Sequence, residues 1–284
     1  MRKYKEKIMG GVFFTAALTS ILAVLLICVF LFANGIPAMK KIGFADFLLG
    51  TTWKPGNDIY GIFPMILGSI YVTAGAIIIG VPIGLLTAVF LAWYCPEKIY
   101  KVVKPAVELL AGIPSVVYGF FGMVMIVPTI RYNFGGTGSS ILAASILLGI
   151  MILPTIIGVS ESAIRAVPGS YYEGSLALGA THERSIFRAV LPAAKSGIFA
   201  GIILGVGRAI GETMAVIMVA GNQARVPSGI LKGVRTLTAN IVIEMGYAEG
   251  LHREALIATG VVLFVFILVI NLAFSIVKMR SNKE

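Results

Sequence analysis

An all-α membrane protein with six transmembrane helices is the fold that this chain's residue pattern specifies. Three observations lead there. Of 284 residues, 58% are hydrophobic and 13% are charged, whereas a soluble domain is about 25% charged. Six apolar runs approach or exceed the roughly 20 residues that a helix needs to cross the hydrocarbon core. None of the runs alternates polar with apolar residues, as membrane barrel strands do. Helices are the default in lipid because they satisfy their own backbone polar groups.

The first run, 10–33, follows the charged start "MRKYKEKIMGG". It is span-length and lacks a small-residue cleavage site at its end, so a retained helix is expected. The second, 62–94, is long and contains Pro82, which predicts a tilt or kink. The third, fourth, fifth and sixth are expected at 106–130, 139–159, 197–220 and 255–277. Between the fourth and fifth, residues 160–196 are too polar to span. The stretch 222–254 forms the other long connection, with a short surface helix expected in "VRTLTANIVIEMGYAEG". One folding unit is expected. Residues 1–60 supply the first helix and external loop, and 61–284 the core with its loop at 160–196.

Basic residues orient the spans. Arg2, Lys3, Lys5, Lys7, Lys98, Lys101, Lys104, Arg165, Arg184, Arg188, Lys195, Lys278, Arg280 and Lys283 fall on one side. Lys40, Lys41, Lys54, Arg131, Arg225, Lys232, Arg235 and Arg253 fall on the other. The positive-inside bias places both termini and the 160–196 loop in the cytoplasm of a bacterial or archaeal cell, in its inner membrane.

Composition also excludes functions. The net charge of +10 is scattered in short clusters between apolar runs, unlike a nucleic-acid footprint. Cys28 and Cys95 form no CxxC or Cys/His cluster, and His182 and His252 stand apart, so no metal is assigned. There is no GxxxxGK[ST] loop, and no paired carboxylates gather with a nucleophile. The chain is expected to bind no cofactor and to be no enzyme.

"GRAIGET" at 207–213 places Arg208 and Glu212 four residues apart inside the fifth apolar run. A charge at the centre of a membrane helix costs about 2.5–3.5 kcal/mol on insertion scales. At i and i+4 the two would share a helix face and could pair. Two uses stand open: mutual neutralisation, or a pathway for an anion. Guanidinium matches oxyanion geometry. Inorganic phosphate keeps a proton at neutral pH and can donate to a carboxylate, which sulfate cannot, so an Arg beside a Glu favours phosphate. Thr213 adds a hydroxyl, whose expected fate is a bond within its own helix. Gly197, Gly201 and Gly205 recur every four residues, as do Gly207 and Gly211, with a similar pair at Gly80 and Gly84. Such strips bring membrane helices close together.

Within the 160–196 loop reads "YYEGSLALGATHERSIFRAVLPAAKSGI". Two short helices with a bend at Gly179 are expected, presenting Ala177, Leu178, Ile186 and Phe187 as apolar surface. Glu173, Gly179, Leu191 and Pro192 fall at the spacings of the EAA motif, which this loop resembles. Gly174, Ser175 and Ala189 depart from its usual Ala, Ala and Ile. The motif belongs to binding-protein-dependent ABC importer permeases of type I, MetI-like architecture. "LAGIPSVVYGFFG", "SESAIRAVPGSYYEGSLALGAT" and "GVGRAIGETMAV" are similar to the phosphate-import branch, with the PstC type the nearer likeness. The resemblance implies a coupling helix that docks on a cytoplasmic ABC ATPase dimer, which holds ATP and Mg. It also implies a second permease subunit of the PstA type and an extracytoplasmic phosphate-binding protein. Arg208 and Glu212 match the branch's pattern. The rival readings are a permease for sulfate or molybdate, the sister phosphate subunit, and an ion-gradient-driven secondary transporter.

Overall fold

The computed structural model describes residues 2–281, with side chains for residue 6 and residues 8–276. Of the residues counted for orientation, Lys283 lies outside the described residues. Arg2, Lys3, Lys5, Lys7, Lys278 and Arg280 have side chains outside them. Among the described residues six helices are long and apolar enough to cross a membrane: Ile8–Ile42, Phe63–Tyr94, Ser115–Phe134, Ile141–Arg165, His182–Gly211 and Gly250–Ile276.

Helix α1 (Arg2–Ile42) runs past the first apolar stretch and ends in Lys40 and Lys41. A short α2 (Phe44–Leu49) and a two-stranded hairpin, β1 (Trp53–Lys54) with β2 (Ile59–Tyr60), lead into α3 (Phe63–Val89). The expected third span is split. Residues 97–112 form a separate amphipathic helix, α4 (Glu97–Gly112), and the chain is extended at Ile113 and Pro114. The span itself begins at α5 (Ser115–Phe121) and finishes as α6 (Val127–Phe134). Pro114 accounts for the break, since the residue before a proline is pushed out of the helical region. The fourth span is α7 (Ile141–Arg165), N-capped by Ser140 through the Ala143 amide.

The 160–196 region holds α8 (Gly169–Ala177) and α9 (His182–Ser185). The second of its two expected helices is not separate. From His182 the chain runs helically into α10 (Leu191–Gly211), so the fifth span starts 15 residues before the expected 197. It also stops earlier, at Gly211, and a short α11 (Met214–Val219) completes the apolar run. The expected surface helix is α12 (Leu237–Glu244), whose Leu237, Thr238, Ala239, Asn240 and Glu244 are buried. Helix α13 (Gly250–Ser281) closes the fold against α1.

Three widened π-turns interrupt the helices, at Phe90–Tyr94, Gly122–Ile126 and Ile186–Val190. Each is followed two residues later by a proline: Pro96, Pro128 and Pro192. A proline has no N–H for the carbonyl one turn back, and its ring crowds that carbonyl. Local widening of the turn relieves both problems at Pro128 and Pro192, where the helix continues; at Pro96 the chain has already left the helix at Cys95.

The core is built on α7, which lies between α3 and α10. Ala144, Leu147, Leu148, Met151, Ile152 and Ile156 are fully buried or nearly so. Glycines set the spacing on both sides. A Cβ at Gly80 would lie 2.8 Å from Ile152 Cδ1, and one at Gly84 2.8 Å from Ile156 Cγ2. On α10, Gly197, Gly201 and Gly205 face Ala163, Ser160 and Ile156 in the same way. The second strip behaves differently. Nothing lies within 4 Å of a Cβ built at Gly207 or Gly211, so that face of α10 opens beside Arg208 without packing on a neighbour.

Candidate functional site

Arg208 sits in the last turn of α10, where the fifth span breaks. Among the described residues its half-buried guanidinium makes one hydrogen bond, Nη1 donating to Thr155 Oγ1 on α7 at 3.5 Å. Of the two uses left open, pairing with Glu212 is not made among the described residues. The cause is backbone geometry: Glu212 has left the helix for an extended conformation, with φ −70° and ψ 130°, so the i, i+4 relationship no longer places the two on one face. The Glu212 carboxylate turns toward α11 instead. Its Oε1 accepts from the Thr213 amide at 3.1 Å and the Ala215 amide at 3.3 Å. These amides are among the unpaired donors at a helix start. Thr213 Oγ1 donates locally to the Gly211 carbonyl at 3.2 Å. Thr238, from α12, donates to the Glu212 carbonyl at 3.2 Å, which ties the break to the 222–254 connection.

Tyr118 of α5 lies within electrostatic range of Arg208. Its hydroxyl donates to the Leu110 carbonyl at 2.8 Å, spanning the break between α4 and α5. Arg208 thus stands where two interrupted spans, the third and the fifth, meet α7.

At the opposite end of α10 lies the motif loop. Glu173 is exposed on α8, Leu178 just after it is 91% exposed, and Gly179 follows at φ +84°. That left-handed conformation is the one glycine adopts without penalty, and it turns the chain from α8 toward α9. Leu191 is half-buried and Pro192 exposed in the first turn of α10. Phe187 is exposed as expected, whereas Ile186 is fully buried against α3 and α7 residues and leaves the apolar surface. Tyr172 and His182 share a hydrogen bond of 2.7 Å, and the Tyr172 ring packs on Trp93 at 4.6 Å. The loop is therefore moored to the end of the second span by aromatic residues.

Two charge clusters escaped sequence reasoning. At the 160–196 end, Glu161 of α7 is 2% exposed. Its carboxylate accepts from Tyr100 Oη at 2.9 Å, Lys104 Nζ at 2.6 Å and the Arg165 guanidinium. Burial pulls the Lys104 ammonium down, but the hydrogen bond and charge of Glu161 outweigh it and hold it above the ordinary lysine range. Burial, then the Glu161 carboxylate, pushes the Tyr100 hydroxyl up. At the other end, Glu244 accepts from Trp53 Nε1 at 2.8 Å and from the Arg235 guanidinium, and lies 2.8 Å from His252 Nε2. Both clusters join residues 60 or more positions apart, so no local spacing marks them. The only hint was the presence of Glu161 and Arg165 at i and i+4 at the end of an apolar run.

Six membrane-length helices around a shared core, with a cation where one span breaks, define a multi-pass membrane protein. Residues 80–283 match the family described as "Binding-protein-dependent transport system inner membrane component", and the chain belongs to that family. The protein named "Probable ABC transporter permease protein YqgH" of Bacillus subtilis (strain 168) is 39% identical over 278 residues, covering 94% of this chain and 90% of that one. The "Phosphate transport system permease protein PstC" of Mesorhizobium japonicum is 34% identical over 260 residues, covering 84% and 79%. A solved chain of the inward-facing MetNI methionine ABC transporter shares the fold, with a TM-score of 0.63 at 21% identity over 81% of this chain and 99% of that one.

Proposed function

We propose that this chain is one of two membrane subunits of an ATP-driven importer for inorganic phosphate. The observation that carries the reading is Arg208: a half-buried guanidinium at a span break, with a single 3.5 Å hydrogen bond and no ion pair among the described residues. A cation left so poorly satisfied in a membrane helix is expensive unless it meets a wet route. The open glycine face of Gly207 and Gly211 supplies room for one. Arg208 is the anion contact. Glu212 Oε2, which has no protein partner among the described residues, accepts a hydrogen bond from the hydroxyl that phosphate retains. Thr213 contributes structure through its local bond. Contact at Arg208 is weak and transient, because a pathway must release what it binds. The names of the curated relatives support phosphate as the cargo.

Energy comes from a partner ABC ATPase dimer that holds ATP and Mg, while this chain holds no cofactor. The ATPase grips α8 and the bend at Gly179, with Glu173, Leu191 and Pro192 framing the contact. The exposed Leu178 suits that role. Both termini and α8 lie in the cytoplasm. A PstA-type second permease completes the pathway, and an extracytoplasmic phosphate-binding protein delivers cargo to the 222–254 side. Closure of the ATPase dimer shifts the balance between inward- and outward-open states.

The test is uptake of labelled phosphate into proteoliposomes carrying the whole complex. Arg208→Gln, in a complex of normal composition, is expected to lose at least about tenfold, the equivalent of one charge-assisted hydrogen bond. Wild-type uptake by Arg208→Gln rejects the role. Effective competition by sulfate or molybdate rejects phosphate as the preferred cargo.

A further inference from the structure

Glu161 is a nearly fully buried carboxylate that the anion pathway does not use. It sits in the final turns of α7, four residues before Arg165 and seven before Pro168, which caps α8. Its three donors come from two helices. Tyr100 and Lys104 belong to α4, and Arg165 belongs to α7 itself. Arg165 in turn donates through Nη2 to the Leu91 carbonyl at 2.6 Å, and its guanidinium lies 4.4 Å over the Tyr100 ring. Leu91 belongs to the π-turn Phe90–Tyr94, the same turn whose Trp93 packs on Tyr172 of α8.

These contacts tie α4 to the end of α7 and, through Arg165, to the Phe90–Tyr94 turn. Helix α4 buries no residue fully and carries its apolar side chains largely exposed. Its polar hold on the rest of the chain consists of the Glu161 cluster at one end and the Tyr118–Leu110 bond at the other. Beyond that bond lies the break at Ile113 and Pro114, and then Tyr118 near Arg208. A chain of contacts thus runs from α8 through the Phe90–Tyr94 turn to Arg165, Glu161 and Lys104 of α4.

We infer that Glu161 is a positioning residue: through Lys104 and Tyr100 it fastens α4 to the loop that faces the ATPase, so that loop movement is transmitted to the broken third span beside Arg208. The inference rests on the importer reading above.

The test uses the reconstituted complex and reads two quantities at once, ATP hydrolysis and phosphate transported per ATP hydrolysed. Glu161→Gln keeps the side-chain shape and loses both ion pairs. Lys104→Met removes the ionic half of the α4 tie and leaves Glu161 with Tyr100 and Arg165, so it serves if Glu161→Gln fails to assemble. In either variant hydrolysis is expected to persist, while transport per ATP falls by about tenfold, toward the upper range for changes along a coupling path. Lys104→Arg, which keeps the charge, is expected to restore coupling. A merely structural role lowers hydrolysis and uptake together through loss of complex and leaves transport per ATP unchanged, and that outcome overturns the inference. So does a Lys104→Met complex whose transport per ATP equals wild type. A wild-type complex without ATP-driven uptake of any oxyanion overturns the importer reading and this inference with it. Wild-type uptake of a different oxyanion leaves the coupling ratio measurable with that ion.

Discussion

Arg208 donates to Thr155 across the interface of the fourth and fifth spans, while Glu212, four residues on, turns its carboxylate to the amides of Thr213 and Ala215. The two charges that look like a pair in sequence have separate partners. The helix break between them is the cause: one residue in extended conformation is enough to move the second charge off the first one's face.

The double reversal Arg208→Glu with Glu212→Arg tests this relationship. A true pair survives exchange of its partners. Here the exchange places an arginine against two helix-start amides, which repel it, and a carboxylate beside Thr155. Uptake is expected to stay at the level of the worse single variant. Recovery toward wild type in the proteoliposome assay would restore the pairing model.

The loop at Gly179 makes a different demand. Its φ of +84° disfavours a side chain, although a Cβ there would meet open space. Gly179→Ala is expected to cost about 1–2 kcal/mol of local backbone strain, and Gly179→Asn less. Leu178→Glu strains nothing, since the side chain is 91% exposed, yet it removes apolar surface from the proposed docking face. Both Gly179→Ala and Leu178→Glu are expected to reduce the ATPase recovered with the purified chain, with the monomer's melting temperature unchanged for Leu178→Glu.

Glu244 predicts a stability effect without a direct transport effect. It joins the β1–β2 hairpin, α12 and α13 through Trp53, Arg235 and His252. Removing one partner of a buried ion pair costs about 3–5 kcal/mol because the other charge is left unpaired. Glu244→Ala is expected to lower the thermal midpoint of the detergent-solubilised protein sharply. Glu244→Gln, which can still accept from Trp53 or Arg235, should lose less.

Lys104 supplies a pH dependence. Its folded-state pKa is raised: burial lowers it, but the Glu161 hydrogen bond and charge outweigh that. A raised cationic pKa contributes stability that is fully present below the unfolded lysine value, about 10.4. That contribution is lost as pH rises through the folded value. The stability difference between wild type and Lys104→Met should therefore be flat from about pH 6 to about pH 9 and shrink above about pH 10.4. A difference that changes near neutrality would contradict the assignment.

Six apolar runs, their order and the motif spacing from Glu173 to Pro192 were legible in the linear chain. The ends of the spans were less so. Pro114 lies in the middle of an apolar run, and hydropathy alone cannot say that the chain on its N-terminal side becomes a separate helix held by Glu161. His182 to Leu191 looks amphipathic, yet it continues into the fifth span, because its Ile186 and Val190 are buried against α3 and α7 residues. The 222–254 connection reads as surface, but Leu237 and Ala239 are buried and Asn240 is fully enclosed.

Sequence alone settles that this chain crosses a membrane six times, because transfer into hydrocarbon is a local and nearly additive property of each run. It also places the motif stretch between the fourth and fifth runs and Arg208 inside the fifth. Which charges meet, where the fifth span breaks, and which glycine strip packs while the other stays open were decided by tertiary structure alone. Those outcomes depend on contacts between residues far apart in the chain, such as Lys104 with Glu161 and Trp53 with Glu244. Their energies exist only once the helices have come together.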